Sequence, residues 1–318
     1  MKERAVLFLA VIFLIAAAAN PLWAQDAYYF GTRPLAMGGS GTALGDDNNA
    51  IQLNPAGIAF QGNYTIDLNY QRTERLRRDA WWKQAEWEGE AGGGTELAEP
   101  DRVERFDIWH LSVVDAFTSP YLKAGISFTS EGFPGTTFED NKDYRFGLAL
   151  AWTIARLIGM GVGGTYIKFE ASDLMTATAG LMVKPIKFIS VGVAVRDFAR
   201  TDTKYHDWVT SSVAGGVALT FFTGRLNFIG DVDYDYERKF EIKEQNRRRD
   251  NYHTGVEGFP IKNLGLRGGY RYESISNRHF YSAGIGYVTE TGALGYTFEG
   301  DVSEPKNVQH SIQVSIRF

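Results

Sequence analysis

The sequence predicts an all-β protein, a transmembrane antiparallel β-barrel of about 14 strands with an N-terminal hatch plug. Three observations lead to this prediction. Residues 1–24 resemble an export signal, fourteen segments from residue 62 onward alternate apolar and polar side chains, and the connections between these segments tend to alternate in length. Alternation with a period of two places apolar and polar side chains on opposite faces of a strand.

Composition excludes several other classes of protein. The 318 residues are 44% hydrophobic and 22% charged and include no cysteine, so there is no disulfide framework and no thiolate metal site. Basic residues number 33 and acidic residues 38, and this balance argues against a nucleic-acid partner. The mean hydropathy is -0.23. After residue 24 no apolar run approaches the roughly 20 residues that a membrane helix needs, so any membrane crossing is predicted to use strands.

The first 24 residues have the features of an export signal. Lys2 and Arg4 precede an apolar stretch over 5–19, and Ala24 ends a small-residue cleavage site. Residues 1–24 are therefore predicted to be a signal peptide. An uncleaved anchor helix is the alternative, because Leu22 is not ideal at the third position before the cut. An exported, cysteine-free, mildly acidic barrel is expected in the Gram-negative outer membrane.

Residues 25–61 do not alternate and are predicted to form the hatch. They combine glycines, which permit close approach, with short apolar helical turns and an Asn-Pro-Ala-Gly turn. Eight-stranded barrels fill their lumen with side chains, whereas about fourteen strands leave a hole that needs filling. The predicted domains are thus a signal peptide over 1–24, an N-terminal hatch over 25–61 and an outer-membrane barrel over 62–318.

The barrel prediction depends on the alternating segments. In the first of them, Tyr64, Ile66 and Leu68 alternate with polar residues. The apolar faces of the clearest segments carry no charge. Boundaries are expected to hold within two to four residues. The predicted strands lie near 62–72, 106–117, 120–130, 143–154, 157–169, 173–183, 187–198, 208–222, 225–237, 251–259, 263–273, 279–289, 293–301 and 307–318.

The connections supply independent evidence. Long polar loops follow the first, third, seventh and ninth strands, and most even-numbered strands end in tight connections such as 118–119, 184–186 and 223–224. Bacterial outer-membrane barrels have short periplasmic turns and longer extracellular loops. The short connection over 170–172 is an exception. A soluble sandwich or propeller also alternates, but about fourteen strands of some 9 to 11 residues suit a bilayer better.

Aromatic residues and the C-terminus point to the same environment. Aromatic side chains recur near strand ends, where interfacial girdles lie in barrels. The last strand ends at Phe318, which is interpreted as an insertion signal, so the barrel-assembly machinery is an expected partner. Outer-membrane lipid and lipopolysaccharide are the expected surroundings. The basic cluster Arg247–Arg249 is either a lipopolysaccharide contact or a solvated part of a loop.

The segment from Arg33 to Ala59 resembles the N-terminal hatch of the FadL-like long-chain fatty-acid transporter superfamily, closest to its PorV/PorQ branch. Stretches near 255–257, 266–270 and 282–287 agree with it. The resemblance implies a fourteen-stranded barrel with an N-terminal plug. The superfamily includes importers of fatty acids and aromatic hydrocarbons and a branch that serves protein secretion, so the cargo stays open. The hatch-motif residues are Arg33, Pro34, Met37, Gly38, Gly39, Asp46, Asp47, Asn54, Pro55, Ala56 and Gly57.

Two motifs invite a chemical interpretation. Gly159–Gly164 matches G-x-G-x-x-G, but a strand and not a helix follows it, so these are predicted to be wall glycines that face the plug. His110 and Ser112 share a strand face, while Asp107 and Asp115 have the opposite parity, so the orienting third group of a catalytic triad is missing. No catalytic residue is assigned, and the protein is predicted not to be an enzyme.

Asp231, Asp233 and Asp235 form an acidic row on one strand face. The row is either a cation site or acidic catalytic cluster or, preferably, a set of luminal carboxylates that are solvated or paired with arginines. The histidines outside the pair above are isolated, without metal-ligand spacing, so no metal and no cofactor are predicted. The candidate arginine partners are Arg225, Arg267 and Arg271, and the isolated histidines are His206, His253, His279 and His310.

The leading functional hypothesis is an outer-membrane barrel that binds or transports a hydrophobic small molecule, resembling a fatty acid or a hydrocarbon. The ligand is expected to enter between hatch and wall and to move on when the hatch shifts about the glycines near 38–45. The alternative is a PorV-like secretion-associated or structural barrel with secretion partners and no transport role.

Overall fold

A computed structural model provides the structure of the chain. It describes residues 31–76, 103–132, 142–154, 156–168, 173–201, 209, 211–235, 250–274 and 276–318. The predicted signal peptide, most of the predicted long loops and the Arg247–Arg249 cluster lie outside these residues. Within the described part of the chain, no helix is long and apolar enough to cross a membrane.

Fourteen antiparallel strands form one closed barrel, in which each strand pairs with its neighbours in sequence and β1 pairs with β14. The closed fourteen-stranded fold predicted from the alternation is thus confirmed. The strands are β1 (Tyr64–Leu76), β2 (Val103–Asp115), β3 (Leu122–Gly132), β4 (Lys142–Ile154), β5 (Ile158–Lys168), β6 (Asp173–Ile186), β7 (Ile189–Arg196), β8 (Ser212–Phe221), β9 (Leu226–Asp235), β10 (Asp250–Ile261), β11 (Leu264–Glu273), β12 (Arg278–Val288), β13 (Gly292–Asp301) and β14 (Val308–Arg317).

One strand boundary differs from the prediction for a clear physical reason. The sequence predicts a tight turn at 184–186, but β6 continues to Ile186 and the turn is Lys187–Phe188. Pro185 has no N–H to donate to the ladder, so the register shifts between Val183 and Ile186 and pairing then resumes.

The two ends of the barrel differ in their connections. Six connections of two to six residues, from that of β2 and β3 to that of β12 and β13, lie at one end, which we call the short-turn end. The odd-numbered strands run toward the other end, which we call the loop end. This parity follows the predicted alternation of connection lengths in part, because the loop-end connections after β5, β11 and β13 have only four to six residues.

The chain closes the barrel with its own C-terminus. The Phe318 N–H donates to the Tyr64 carbonyl at 2.9 Å, and the Tyr64 N–H donates to the Phe318 carbonyl at 3.3 Å. The two rings meet edge-on with centroids 6.0 Å apart. Phe318 therefore occupies the seam of the barrel at the short-turn end.

The two faces of the wall have opposite chemistry. In β1 the residues Thr65, Asp67 and Asn69 point inward and are buried, while Leu68 points outward and is exposed. The same division recurs around the barrel. Alternation places polar side chains in the lumen and apolar side chains on the outer surface, as a barrel in lipid requires.

Residues 31–63, which we call the inner segment, lie within the barrel. The segment contains α1 (Thr32–Ala36), α2 (Ala50–Leu53) and a 3₁₀ helix (Pro55–Phe60). Asn54 caps the 3₁₀ helix by accepting the Ala56 N–H at 3.1 Å. Helix α1 contacts β11 to β14, and the 3₁₀ helix contacts β3 to β6. The segment therefore extends across the lumen.

An apolar core joins the inner segment to the wall. Buried residues of α2 and the 3₁₀ helix pack against small or branched side chains of β2 and β4. This packing removes apolar surface from water at the wall positions where the lumen is not polar. The buried residues of this core are Ala50, Ile51, Ile58, Ala59, Val114, Ala116, Ala149 and Ala151.

Candidate functional site

Glycines of the wall allow the inner segment to approach the backbone of the strands. A Cβ atom at Gly161 or Gly180 would overlap Pro55 or Asn54, and one at Gly192 would overlap the Thr42 carbonyl. The inner segment therefore packs directly on the backbone of the wall at glycines, and there is no room at these positions for even a Cβ atom. Other wall glycines in such contact are Gly125, Gly159, Gly255, Gly269 and Gly284.

The predicted G-x-G-x-x-G motif is part of this surface. Gly159 and Gly161 in β5 face the 3₁₀ helix, while Gly164 points outward and has only the Thr176 carbonyl near it, 3.5 Å from an added Cβ. The whole motif lies within β5, and the strand, not a helix, continues after it. The expectation that these glycines face the plug therefore agrees with the geometry at two positions.

Arg33 is the centre of an ion cluster between the inner segment and the wall. Its Nε and Nη2 atoms donate to the two carboxylate oxygens of Glu257 at 2.9 and 2.6 Å. It also donates to Asp46 and, at 3.4 Å, to Asp47. A bidentate pair between a guanidinium and a carboxylate fixes orientation as well as distance. Arg33 thus links the start and the middle of the hatch motif to β10.

The wall supplies the rest of the cluster. Arg267 Nε donates to Glu257 Oε1 at 2.7 Å, and Asn227 Nδ2 donates to Glu257 Oε2 at 3.0 Å. The Glu257 side chain is fully buried. Two arginines and an amide therefore compensate a carboxylate that would be costly to bury alone.

Burial and charge act in opposite directions on the inner-segment members of this cluster. Desolvation lowers the pKa of Arg33, but Asp46 and Glu257 outweigh it and hold the pKa above its ordinary value. Desolvation raises the pKa of Asp47 more than Arg33 lowers it. Arg33 is therefore charged at any physiological pH. Of the two residues, Asp47 is the one that takes up a proton more readily than an ordinary aspartate.

The acidic row of β9 contacts the inner segment. Asp231 Oδ2 accepts the N–H groups of Gly41 and Thr42 at 2.7 and 2.8 Å. Asp233 pairs with Arg196 at 2.9 Å. Asp231 and Asp235 are buried and Asp233 is partly buried, and the arginine that pairs with Asp233 is not one of those predicted.

Arg196 extends this contact to the inner segment. It donates from Nε to the Leu53 carbonyl at 2.8 Å and from Nη2 to Thr42 Oγ1 at 2.9 Å. Of the three predicted arginines, Arg225 lies exposed in a turn, Arg267 pairs with Glu257, and Arg271 pairs with Glu273 and Glu299. Parity alone indicates which residues face the lumen, but the partner depends on the strand order around the barrel.

The remaining hatch-motif residues fall at two further places. Around Pro34, Met37, Gly38 and Gly39 the chain turns against β10 to β12: Gly38 donates to Ser282 Oγ at 3.0 Å, and its carbonyl lies 2.7 Å from His253 Nδ1. Asn54, Pro55 and Ala56 instead pack against β5 and β6, and Gly57 packs against Gly45 within the inner segment. Asn54 Nδ2 also donates to the Thr42 carbonyl at 2.8 Å, within the inner segment.

Two cavities lie beside the inner segment. The larger, about 850 Å³, opens among residues of the short-turn end. Leu44, Phe60 and Phe259 supply apolar lining, while Arg33 and Lys184 supply charge. The smaller, about 110 Å³, lies beside α2 on the side of Glu131 and Asp197. The inner segment lines both cavities, with residues 43–47 and 60–63 at the larger one and 51–53 at the smaller one.

The histidine and serine pair of β2 faces the lumen, on the side of the strand opposite to Asp107. His110 and Ser112 are both buried on the inward face, and His110 Nδ1 lies 2.8 Å from Thr129 Oγ1. Asp107 instead accepts the Tyr70 hydroxyl at 2.6 Å on the outward face. Among the residues that the structure describes, no group of His, Asp and Glu is arranged to hold a metal ion.

Sequence reasoning identified Arg33 but not Glu257 as its partner. Glu257 and Arg267 are charged residues at inward positions, between outward neighbours that carry no charge, Val256 and Leu266 among them. That pattern marks a lumen residue, and the stretches around both residues belong to the family resemblance. This pattern does not indicate which charged residues pair with each other, because the pairing depends on contacts over long sequence separations.

No protein-family model and no curated protein sequence matches the chain. Solved structures do match it. A structure described as "CymD monoaromatic hydrocarbon channel" has a TM-score of 0.59 and 13% identity, covering 92% of this chain and 98% of its own. The Ralstonia pickettii toluene transporter TbuX matches with a TM-score of 0.56, 11% identity and coverage of 92% and 98%.

A Pseudomonas aeruginosa FadL homologue matches with a TM-score of 0.57 and 12% identity, over 91% of this chain and 98% of its own. Identities this low show the fold alone. The chain therefore has, over nearly its whole length, the barrel fold of the FadL-like hydrocarbon channels.

Proposed function

We propose that this protein is an outer-membrane barrel that binds or transports hydrophobic small molecules, with the inner segment acting as its hatch. The observation that carries the proposal is a closed barrel with a lipid-compatible outer surface whose lumen is crossed by a segment in contact with the wall. Similarity in fold to the monoaromatic hydrocarbon and toluene channels supports the choice of cargo.

The outer surface supports a membrane location. Exposed aliphatic side chains form its middle band, and Leu148, Val256 and Ile312 are examples. Twelve of the fourteen strands have ten to thirteen residues. A ten-residue strand extends about 33 Å and, tilted by about 40°, rises about 25 Å, which is the height of the apolar band of a barrel.

Aromatic residues bound this band at both ends. Toward the loop end, Tyr70 packs on Trp109 with centroids 4.7 Å apart, and Tyr252 stacks on Tyr272 at 6.3 Å. Toward the short-turn end lie Tyr64, Phe318, Phe188 and Phe222 among others. Aromatic side chains at these levels suit the two membrane interfaces. In bacterial barrels the short turns face the periplasm, and the same orientation is proposed here.

The inner segment argues against an open aqueous pore. It meets the wall at strands on both sides of the lumen and is held there by the Arg33 cluster and by Asp231. A solute must therefore pass between the segment and the wall. The cavity of about 850 Å³ at the short-turn end lies on such a route and falls within the size range of ligand pockets.

Uptake measurements test the transport role. A deletion strain and its parent are compared for accumulation of labelled toluene, a long-chain fatty acid and an alkane, with the wild-type gene restored as a control. The proposal expects lower uptake of at least one of these molecules in the deletion strain. Equal uptake of all three contradicts it.

Adjacent residues of β8 provide matched variants for the same assay. Thr220 lines the large cavity, and Leu219 has the opposite parity and points outward. We expect Thr220→Trp to reduce uptake by filling the route, while Leu219→Trp, which adds an aromatic ring to the outer surface, leaves uptake unchanged. Equal effects of both variants would show that the cavity is not on the route.

A secretion-associated or structural role is the second candidate. It is favoured by the buried charge pair of Arg33 in the inner segment with Glu257 in the wall, which suits a fixed plug better than a moving one. Co-purification with secreted proteins or with a secretion machine supports this role. A barrel that always purifies alone, with normal secretion in the deletion strain, contradicts it.

A further inference from the structure

We propose that four consecutive turns at the short-turn end form a binding surface for anionic phospholipid headgroups. The turns join β4 to β5, β6 to β7, β8 to β9 and β10 to β11, and they are therefore neighbours on the rim. This inference goes beyond the transport proposal but rests on the membrane orientation proposed with it. We call this surface the basic half-collar, defined by Arg156, Lys187, Arg225 and Lys262.

Each of the four turns contributes one basic residue and no acidic residue. All four basic side chains are exposed, Arg156 and Lys187 of them beside the larger cavity, and none of the four makes an ion pair with another described residue. The two other short turns differ, since 116–121 has no charge and 289–291 has only Glu290. Among the six short turns, basic residues are therefore found only in these four neighbouring turns.

Every basic residue of the half-collar has an exposed apolar neighbour at the membrane boundary. Leu157 follows Arg156, Phe188 follows Lys187, and Ile261 precedes Lys262. Phe222 stands in the same turn as Arg225 and is 74% exposed. A cation beside an apolar side chain suits the level where phosphates meet acyl chains, because each group reaches its preferred surroundings.

The backbone of two of these turns supplies a second observation. Arg156 has φ 58°, and Phe222 has φ 51°, both in the left-handed region. Glycine or asparagine adopts this conformation at lower cost than Arg or Phe. The two positions therefore carry a basic and an aromatic side chain despite the turn geometry.

Spacing also suits a lipid surface. Adjacent strands lie about 4.8 Å apart, so successive turns of the half-collar lie about 10 Å apart along the rim. Four separate cations on a curved line match a row of headgroups around the barrel better than one compact anion. The chemical class of the partner is thus an anionic phospholipid, such as phosphatidylglycerol, in the leaflet at the short-turn end.

Tryptophan quenching by brominated lipids tests the proposal on the full-length protein. Trp152 lies on the outer face at the short-turn end of β4, and Trp109 lies on the outer face toward the loop end. The protein is reconstituted with brominated phosphatidylglycerol or brominated phosphatidylcholine. The signal of each tryptophan is obtained by difference from Trp152→Phe or Trp109→Phe.

The half-collar variant combines Arg156→Gln, Lys187→Gln, Arg225→Gln and Lys262→Gln. Its matched control makes the same number of charge changes at the loop end, with Arg72→Gln, Arg105→Gln, Lys168→Gln and Lys306→Gln. We expect wild type and control to prefer phosphatidylglycerol at Trp152 by about fivefold, the order expected for one basic residue at an anionic surface. The half-collar variant is expected to lose that preference, and Trp109 to show none.

Equal quenching of Trp152 by the two lipids in wild type overturns the proposal, as does an equal loss in both sets of variants. The first result would leave an acidic protein segment as the candidate partner. If neither tryptophan is quenched by either lipid, the membrane location itself fails, and that result is distinct from a lack of headgroup preference.

Discussion

At the scale of the residue, the Arg33–Glu257 pair carries much of the specificity of the contact between inner segment and wall. The Glu257 side chain is fully buried, and that of Arg33 is 14% exposed. Burying two charges is costly, and removing one partner leaves the other uncompensated. The pair is therefore better understood as a device that fixes position than as a source of net stability.

We expect Arg33→Gln to loosen the inner segment without opening the barrel. Breaking a buried pair costs about 3 kcal/mol, so hydrogen exchange over residues 33–57 is expected to accelerate by about a hundredfold, with the strands unchanged. Mass spectrometry of exchanged peptides measures this. Arg72→Gln, which breaks a 3.6 Å contact with Asp107 on the exposed surface, is the control. Equal exchange in both variants would show that Arg33 does not hold the segment.

A second residue-scale prediction concerns Gly161. A Cβ there overlaps the backbone of Pro55, whereas Gly164 in the same motif has room for one. We expect Gly161→Ala to destabilise the contact by about 1 to 3 kcal/mol through overpacking, and Gly164→Ala to have little effect. Thermal unfolding in detergent, followed by gel mobility, compares the two. If Gly161→Ala leaves the thermal stability unchanged, the 3₁₀ helix can shift freely to accommodate the added Cβ.

At the scale of the element, the two faces of each strand meet different surroundings. In β4 the outward Leu148 lies between the aromatic levels, while the inward Ala149 packs in the core with Ile51. The same strand therefore has to meet lipid on one side and the inner segment on the other. Alternation satisfies both requirements only in one register.

We expect Leu148→Arg to destabilise the barrel by about 2 to 4 kcal/mol, because it places a charge near the middle of the apolar band. Ile154→Arg, at the end of the same strand, is expected to cost at most about 1 kcal/mol, since an arginine there reaches the interface. Reversible unfolding by guanidinium in lipid vesicles measures both. Similar costs for the two variants would place β4 outside a bilayer.

At the scale of the whole molecule, the first and last strands close the barrel. The final backbone bonds join Phe318 to Tyr64, and the Phe318 side chain is 71% exposed at the short-turn end. Backbone closure removes the sheet edges, and the Phe318 ring stays exposed, within reach of the assembly machinery that we propose as a partner.

We therefore expect Phe318→Ala to slow assembly in cells while leaving the folded barrel nearly as stable as wild type. The substitution keeps the backbone bonds to Tyr64 and removes only the ring. Pulse-chase labelling with heat-modified gel mobility measures the rate, and unfolding in vesicles measures the stability. If the variant assembles at the normal rate, the interpretation of Phe318 as an insertion signal is wrong.

Local pattern in the sequence determined the number of strands, their approximate limits, the outward and inward faces and the division of connections into two kinds. These properties depend on residues close in sequence, because a strand reveals itself by a period of two and a turn by a few residues. Pro185 shows the limit of this approach, since its bulge keeps β6 paired beyond the predicted turn.

Only the tertiary structure decided which lumen residues meet the inner segment. Arg33 and Glu257 are 224 residues apart in sequence, and Asp231 finds the amides of Gly41 and Thr42 across the lumen. Parity placed Arg267 and the β9 acidic row on the inward face, but closure of the barrel set their distances. The physical reason is that a charge is paired by whichever partner the closed sheet brings within a few ångströms, and sequence separation contains no information about that distance.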